Sequence, residues 1–351
     1  MDYSQILSQQ FNIKEEYAKN IITLLDDGNT IPFIARYRKE MHGSMDDQLI
    51  REFAEKLEYL RGLDKRRDEI RSLIDAQEKL TDEINLALDK AATLSELEDI
   101  YRPYRPKRKT RASIAKEKGL EPLANDILKQ EKGFDPSKSA VDYINEEKGV
   151  TSVEDAIQGA MDIIAELVSD NAEIRKRIRN LTNANGVLVS VATDEEKDSV
   201  YKNYYDYKEP VKKIAGHRVL AVNRGEKEGF LKVSVETDSE KPLNSIFRAM
   251  ITDKNQLCSD IIREACTDAY QRLIYPSIER EVRNDLTDTA AENAMKVFAV
   301  NLKQLLMQPP VKGKTVLALD PGYRTGCKTA VVDSTGKAVS YTHLRAHETC
   351  A

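Results

Sequence analysis

The chain has 351 residues and a formal net charge of −5; 32% of its residues are charged, 6% are aromatic and none is tryptophan. This length suffices for two or three domains, and the composition favours long solvated helices over an aromatic-rich β-sandwich. The nearly balanced charge excludes a bulk attraction to nucleic acid or to anionic lipid, so any such attraction must come from local basic clusters.

Hydropathy and cysteine spacing bear on the cellular context. No run of about 18 apolar residues occurs, and the opening MDYSQILSQQ lacks the basic and apolar blocks of a signal peptide. We therefore expect a cytoplasmic protein that does not engage a membrane. Because the four cysteines have no CxxC spacing, we expect reduced thiols and no zinc site, with Cys258 and Cys266 as core packing. We also expect no other metal and no cofactor.

Helical periodicity dominates the first hundred residues. Apolar residues recur at helical spacing from 4 to 27 and predict one or two short helices, with Gly28 as a C-cap. Thr30 is expected to cap a further helix that has Pro32 in its first turn. The charged segment from 46 to 74, followed by TDEINLALDKAATLSELEDI, predicts a long hairpin of two antiparallel helices.

The stretch from 101 to 112, YRPYRPKRKTRA, is called the basic strip below. Its prolines hold the backbone extended, so its cations can follow a phosphate backbone while its tyrosines pack or stack. Alternatively the strip is a structural strap whose cations pair with acidic helices, and Glu96, Glu98 and Asp99 are nearby candidates. Both interpretations remain open. The candidate nucleic-acid-binding residues are Arg102, Arg105, Lys107, Arg108, Lys109 and Arg111.

The middle of the chain combines helices with a strand. A capping box of Thr151 and Glu154 predicts a helix to about Val168, and a second helix is expected after Asp170. The segment FLKVSVE alternates apolar and polar residues as a half-buried strand does.

Two further clusters are candidates for nucleic-acid contact. The segment IRKRIRN carries Arg175, Lys176, Arg177 and Arg179, for which a solvated helix face is the favoured interpretation. The tyrosines of YKNYYDYKEP have the chemistry to stack on bases, but packing under a loop is favoured for them.

The last helices lead to a domain boundary. LCSDIIREACTDAYQRLIY predicts a helix that Pro276 kinks or ends, and Thr289 with Glu292 predicts a newly capped helix to Met307. QPPVKGK breaks the helical pattern and marks the boundary. The KGKT segment within it lacks the first glycine of a P-loop and precedes a strand, which favours a linker.

Strand-like alternation follows the boundary. TVLALD, CKTAVVD and AVSYTHL predict a β-meander that opens an α/β domain. Asp320 ends the first of these strands, where a metal-dependent phosphodiesterase can hold a divalent ion, although Asp333 is its only carboxylate neighbour in sequence. The alternative is that Asp320 starts a turn with Pro321 and Gly322.

Four segments, in this order, carry a family resemblance: TIPFIARYRKE, YRPYRPKRKTRASIAKEKGLEPLA, HRVLAVNRGEKEGFLKV and ALDPGYRTGCKTAVVDSTGK. Over residues 1 to 339 the chain resembles the bacterial Tex family of transcription accessory proteins. The resemblance implies a mainly α fold with a helix-turn-helix and a long helical hairpin, followed by the opening β-hairpin of an α/β RNase H-like domain of the YqgF type. Asp320 matches the first acidic position of that fold, and we expect it to be inactive here.

The resemblance also implies a domain order. It places a helical domain at 1–308, a linker at 309–314 and the start of the YqgF-type domain at 315–339. Family members continue with helix-hairpin-helix elements and an OB-fold RNA-binding domain; without these we expect weak nucleic-acid binding. Residues 340–351, SYTHLRAHETCA, leave the family pattern and resemble sequencing-adapter read-through. We expect this tail to be non-native, which removes His343 and His347 as metal ligands.

The sequence thus predicts a protein that acts in transcription by binding RNA, DNA or both, without catalysis. RNA polymerase or other transcription machinery is the expected protein partner. Two alternatives stay open: part of a metal-dependent RNase H-like nuclease with Asp320 as first ligand, and a protein-interaction scaffold in which the basic strip is only a strap.

Overall fold

The computed structural model describes residues 2–252, 254–309, 313–322 and 326–345. The chain divides into two compact units, one of Met1–Ile214 with Glu226–Asn284 and one of Ala215–Gly225 with Asp285–Ala351. Within the described ranges, no helix combines the length and the apolar character needed to cross a membrane. The fold is mainly α, with two small antiparallel sheets, which confirms the predicted class.

Helices make up most of the described chain. They are α1 (Tyr3–Phe11), α2 (Glu15–Asp26), α3 (Ile31–Tyr37), α4 (Lys39–His42), α5 (Asp47–Asp75), α6 (Asp82–Lys90), α7 (Leu94–Tyr101), α8 (Arg111–Glu117), α9 (Glu121–Lys129), α10 (Pro136–Ala140), α11 (Val153–Asp170), α12 (Ala172–Asn185), α13 (Gly216–Lys227), α14 (Glu240–Met250), α15 (Gln256–Asp268) and α16 (Tyr275–Leu306). The strands are β1 (Val187–Ala192), β2 (Asp206–Pro210), β3 (Leu231–Glu236), β4 (Val316–Gly322), β5 (Gly326–Val332) and β6 (Ala338–Leu344).

The predicted N-terminal helices are confirmed, and α1 to α5 share one core. Leu7, Ile34 and Phe53 are fully buried in it. Gly28 has the positive φ of a helix C-cap, as the sequence indicated. Thr30 occupies the predicted N-cap position of α3, but its side chain makes no capping hydrogen bond. These contacts make the first five helices a single packed body.

Helices α5, α6 and α7 form the predicted hairpin, but its second arm is divided in two. Thr93 starts α7, because its side-chain oxygen accepts a hydrogen bond from the backbone N–H of Glu96. Arg67 of α5 is buried and donates to the carbonyl oxygens of Leu88 and Ala91 at 2.8 and 3.0 Å. It thereby satisfies the C-terminal end of α6, which would otherwise bury unpaired carbonyls.

The predicted cap of α11 is displaced by one residue. Ser152, not Thr151, is the N-cap, and its hydroxyl accepts from the backbone N–H of Asp155 at 3.1 Å. The Thr151 hydroxyl instead donates to the Asp155 carboxylate at 2.6 Å. Both residues suit a cap, so composition alone did not separate them.

The helix does not end at Pro276, and the predicted new helix start at Thr289 is wrong. A π-helical turn, Ala269–Ile274, joins α15 to α16, and Pro276 lies in the first turn of α16 directly after it. A proline in a helix clashes with the carbonyl four residues earlier, and the wider π-helical turn makes room for it. Thr289 lies inside the continuous helix, so its local capping pattern is not used.

The first sheet has the order β2-β1-β3 and contains the predicted strand. Leu231, Val233 and Val235 are its buried face, as the alternation indicated. Strands β1 and β2 and helix α13 have no counterpart in the sequence prediction. The second sheet, β4-β5-β6, is the predicted meander, and the sequence identified all three of its strands.

Two helical glycines provide a matched test of the packing. A Cβ added to Gly159 of α11 would lie 2.3 Å from Leu120 Cδ1, whereas one added to Gly62 of α5 would meet nothing within 4 Å. We expect Gly159→Ala to lower the free energy of unfolding by about 1 to 3 kcal/mol. Gly62→Ala should raise it by about 0.5 to 1 kcal/mol, because alanine loses less backbone entropy on folding.

The measurement is guanidinium-induced unfolding followed by far-UV circular dichroism. A Gly159→Ala protein as stable as the parent would contradict the close approach of Leu120 to α11.

Candidate nucleic-acid interface

The basic strip begins where α7 ends and finishes where α8 begins. Its first residues, Arg102–Tyr104, form a 3₁₀ turn, so the predicted extended conformation is wrong there. Residues 105 to 110 form no helix or strand. Thr110 then caps α8: its hydroxyl accepts from the Ser113 N–H at 3.0 Å, and the Ser113 hydroxyl accepts from the Thr110 N–H at 2.8 Å. Both ends of the strip are therefore fixed by secondary structure.

Two cations of the strip anchor it to the end of α11. Lys107 contacts the carboxylate of Asp170 and lies 3.4 Å from that of Glu166. Arg102 Nε lies 3.4 Å from Asp170 Oδ1. Burial, followed by repulsion from Arg175, lowers the pKa of Arg102, but a guanidinium stays charged at neutral pH. For these two residues the strap interpretation applies.

The carboxylates expected to hold the strip are engaged elsewhere. Glu96, Glu98 and Asp99 pair instead with Lys176, Arg66 and Arg175, respectively. Sequence reasoning missed the actual partners, although a signal was present. Glu166 and Asp170 are four residues apart in a segment correctly predicted as helical, and such a pair lies on one helix face.

The remaining cations of the strip are directed to solvent. Arg105 and Arg108 are exposed, and neither forms an ion pair in the described part of the chain. Lys109 Nζ is 3.8 Å from Glu117, but both side chains are largely exposed, so this contact is weak. Arg111, the last cation of the strip, is attracted to the carboxylate of Asp162. Burial raises the pKa of Asp162, and the positive charges of Arg272 and then Arg111 partly offset that rise. Arg105 and Arg108 are thus the cations most available to an external anion.

A groove runs beside the strip, and its lining is mixed in charge. Lys107 and Lys116 line it together with Glu121, Glu166 and Asp170. Carboxylates repel phosphate, so the groove does not suit a nucleic-acid backbone. Phosphate contact is left to the outward-facing arginines.

Arg175 and Arg179 in the basic segment of α12 belong to a buried ion-pair network. They therefore neither form a solvated helix face nor stand free to contact nucleic acid. The Arg175 side chain is 3% exposed, and its Nε lies 2.5 Å from Asp99 Oδ1. Arg179 contacts two carboxylates. Its Nη2 lies 2.5 Å from Asp99 Oδ2, and its Nε lies 2.6 Å from Glu281 Oε1. Burial lowers the pKa of Arg179, but its hydrogen bonds to Glu281 and Asp99 outweigh this and raise the pKa overall. Of the four cations of this segment, Arg177 is the one that is exposed and forms no salt bridge with the described residues.

The tyrosine cluster packs within the protein, as favoured from its sequence. Tyr201 is buried and its ring centroid lies 5.8 Å from that of Phe230. The rings of Tyr204 and Tyr207 meet edge to face at 5.3 Å. The hydroxyl of Tyr205 donates to the backbone carbonyl of Lys197. These contacts account for the cluster without a bound base.

Asp320 lies within β4, directly opposite Lys328 of β5, and the predicted turn at this position is wrong. The antiparallel register places Asp333 beyond the far end of β5, roughly 17 Å along the strand from Asp320. Hydrogen bonds from the Thr335 hydroxyl and then from backbone N–H groups lower the pKa of Asp333. The second carboxylate therefore serves a turn and does not converge on Asp320.

Other candidate metal ligands are also dispersed. Within the described ranges no three His, Cys, Asp or Glu side chains are grouped closely enough to hold an ion. Cys258 and Cys266 are buried in α15, which confirms their predicted packing role, and burial raises the pKa of Cys266 to about 12. His347 and Cys350 lie outside the described residues.

Three family models match the chain. They are described as Tex-like protein N-terminal domain for residues 1–75, Tex central region-like for 131–298 and Tex protein YqgF-like domain for 314–350. The last match includes most of the tail, whose predicted non-native origin stays a prediction. The predicted domain limits likewise stay predictions.

Relatives match almost the whole chain. An "Uncharacterized protein YdcI" of Bacillus subtilis is 45% identical over 99% of this chain and 50% of its own length. A "Transcriptional accessory protein Tex" of Neisseria gonorrhoeae is 37% identical over 99% and 46%. A human "S1 RNA-binding domain-containing protein 1" is 32% identical over 96% and 35%. The chain spans half or less of the length of these relatives.

The ion-pair network yields a matched stability test. Asp99→Ala leaves two buried guanidinium groups without their carboxylate and should lower the free energy of unfolding by about 3 to 5 kcal/mol. Glu98→Ala, one residue earlier, removes a carboxylate paired with Arg66 in partial contact with solvent and should cost about 0 to 1 kcal/mol.

Denaturant titrations of the two variants and the parent measure both values. Equal losses for Asp99→Ala and Glu98→Ala would show that the buried network does not hold α7 to α12.

Proposed function

The chain belongs to the Tex family, and from this premise we propose that it acts in transcription by binding nucleic acid, without catalysing a reaction. One observation carries the proposal. Arg105 and Arg108 stand exposed and unneutralised on a strip that two ion pairs and two helix ends hold in place. In a chain with a net charge of −5, this is a local surface to which a phosphate backbone is attracted.

The fixed strip reduces the entropic cost of binding. Asp170 neutralises the charges of Lys107 and Arg102, so these two residues position the segment between them rather than contact the ligand. Arginine also suits phosphate, because its planar guanidinium can form two parallel hydrogen bonds with one phosphate group. Few contacts of this kind support weak, sequence-independent binding.

The strand register around Asp320 supports a role without catalysis. A two-metal nuclease requires several converging carboxylates, and the strand register separates Asp333 from Asp320 while placing Lys328 opposite Asp320. The remaining functional assignments rest on the relatives. Names such as transcriptional accessory protein and S1 RNA-binding domain-containing protein support nucleic acid as the polymer and a role in transcription. We further propose RNA polymerase or associated machinery as the partner and the cytoplasm as the location.

Neutralising the outward arginines tests the binding surface. We expect the double variant Arg105→Gln and Arg108→Gln to keep the parent melting temperature and to bind a labelled single-stranded oligonucleotide more weakly. The slope of log affinity against log salt concentration should fall in magnitude by about 0.7 for each lost phosphate contact. Fluorescence anisotropy across a salt series measures both quantities.

The matched control is Lys107→Gln, which removes a cation from the same strip. It should leave the salt slope unchanged and lower the melting temperature, because Asp170 and Glu166 lose their partner. The opposite pattern, with Lys107→Gln altering the slope and the arginine pair altering stability, would refute the assignment.

Catalysis is tested separately with Asp320. Incubation of the chain with Mg²⁺ and end-labelled RNA or DNA should give no cleavage above that of Asp320→Asn. Cleavage that depends on Mg²⁺ and disappears in Asp320→Asn would establish the nuclease alternative.

A further inference from the structure

A second basic and aromatic surface lies far in sequence from the strip, at the junction of α3 and α4. We call it the Tyr37 patch; it consists of Phe33, Arg36, Tyr37, Arg38 and Lys39. Its geometry, charge and mounting each point to a ligand.

The aromatic part of the patch presents a ring to solvent. Tyr37 is 64% exposed, although α3 is otherwise packed on the N-terminal core. Its ring lies 5.4 Å from the Phe33 ring, and the Arg38 guanidinium sits over the Phe33 ring at 5.2 Å. Phe33 thus packs against the Tyr37 ring, Arg38 packs on Phe33, and the exposed Tyr37 ring stays accessible to a further planar group.

The charge of the patch is positive and uncompensated. None of Arg36, Arg38 and Lys39 forms an ion pair in the described ranges, and Glu40 is the one carboxylate that directly follows them. Most other arginines of this helical region are neutralised, as Arg61 is by Asp26 at 2.7 Å and Arg66 by Glu98 at 2.7 Å. Among the described residues, the patch therefore combines an open π-face with cations that no carboxylate neutralises.

The patch is rigidly mounted. Ile34, within α3, is fully buried, and its carbonyl oxygen is 3.1 Å from Nε2 of the buried His42 in α4. Asn20 of α2 donates to the carbonyl of Met41 at 3.0 Å. Gly43 has φ +66°, and a Cβ there would lie 2.6 Å from the Tyr17 ring, so the turn after α4 packs closely on α2. The backbone that carries these side chains therefore needs little reordering when a ligand binds.

We propose that the Tyr37 patch binds single-stranded nucleic acid, with one base stacked on Tyr37 and the adjacent phosphates on Arg36 and Lys39. Base stacking on an exposed aromatic ring beside backbone-tracking cations is the general mode of single-strand binding without sequence preference. The site goes beyond the basic strip, whose arginines lack an exposed ring supported in this way. It also selects single strands, because paired bases in a duplex do not expose a face for stacking.

The absence of tryptophan from the sequence makes a direct test available. Tyr37→Trp introduces a single tryptophan that keeps the stacking surface and reports on it. We expect titration with an oligothymidylate of about 16 nucleotides to quench its fluorescence saturably, with the midpoint given by anisotropy of the same labelled strand. A duplex of equal length should quench much less.

Tyr59→Trp is the matched control. Tyr59 is also exposed, at 43%, and has Lys56 over its ring at 4.7 Å, but two carboxylates, Glu55 and Glu58, precede it in the sequence. Its tryptophan should not be quenched by the strand. A loss-of-function variant, Tyr37→Ala with unchanged circular dichroism, should weaken binding about fivefold or more, since it removes one stacked base.

The outcomes separate this proposal from the role of the basic strip. If the strand binds and depends on Arg105 and Arg108, but Tyr37→Trp is not quenched, the Tyr37 patch is refuted and the strip stands. Equal quenching at positions 37 and 59 also refutes the patch. No binding of the strand by the chain refutes both surfaces, and a protein that binds the patch in place of the strand would make it a protein-docking surface instead.

Discussion

The buried carboxylate of Asp99 is the group on which the arrangement of the basic strip depends. Arg175 and Arg179 of α12 hold its two oxygens, and Arg179 continues the link to Glu281 of α16. A buried charge is costly unless paired, so α7 and α12 cannot separate without exposing three charged groups. Tyr101, two residues after Asp99, is itself buried, and the strip therefore starts from a fixed point.

From that point the strip divides its charge between two roles. Arg102 and Lys107 are neutralised by α11, while Arg105 and Arg108 face solvent. The phosphate-track and strap interpretations are therefore not exclusive, because different residues of one segment satisfy each. The strap cations hold the outward arginines in place, and the outward arginines present charge to a ligand beside them. This division explains how a chain with net negative charge offers a local anion-binding surface.

Local patterns predicted what local forces decide. Periodicity and capping residues located α1, α2, α3 and α5, and alternation located β3 and the β-meander, because helix faces and strand faces are set by neighbours in sequence. The separate helix α4 was not predicted. The errors arose where distant residues decide. The continuity of α15 and α16 through Pro276 needs a π-helical turn, and β1 is a strand because β2 and β3 flank it. Likewise, nothing near Arg175 in sequence shows that Asp99, 76 residues earlier, buries its charge.

The division of charge within the strip is tested most directly by arginine footprinting. The free chain and its complex with a single-stranded oligonucleotide are treated with phenylglyoxal, and modified arginines are quantified by mass spectrometry. We expect Arg105 and Arg108 to react in the free chain and to be protected in the complex, while Arg175 and Arg179 stay unreactive in both and Arg102 changes little. Protection of Arg102 without protection of Arg105 and Arg108, or ready modification of Arg175 in the folded chain, would contradict this account.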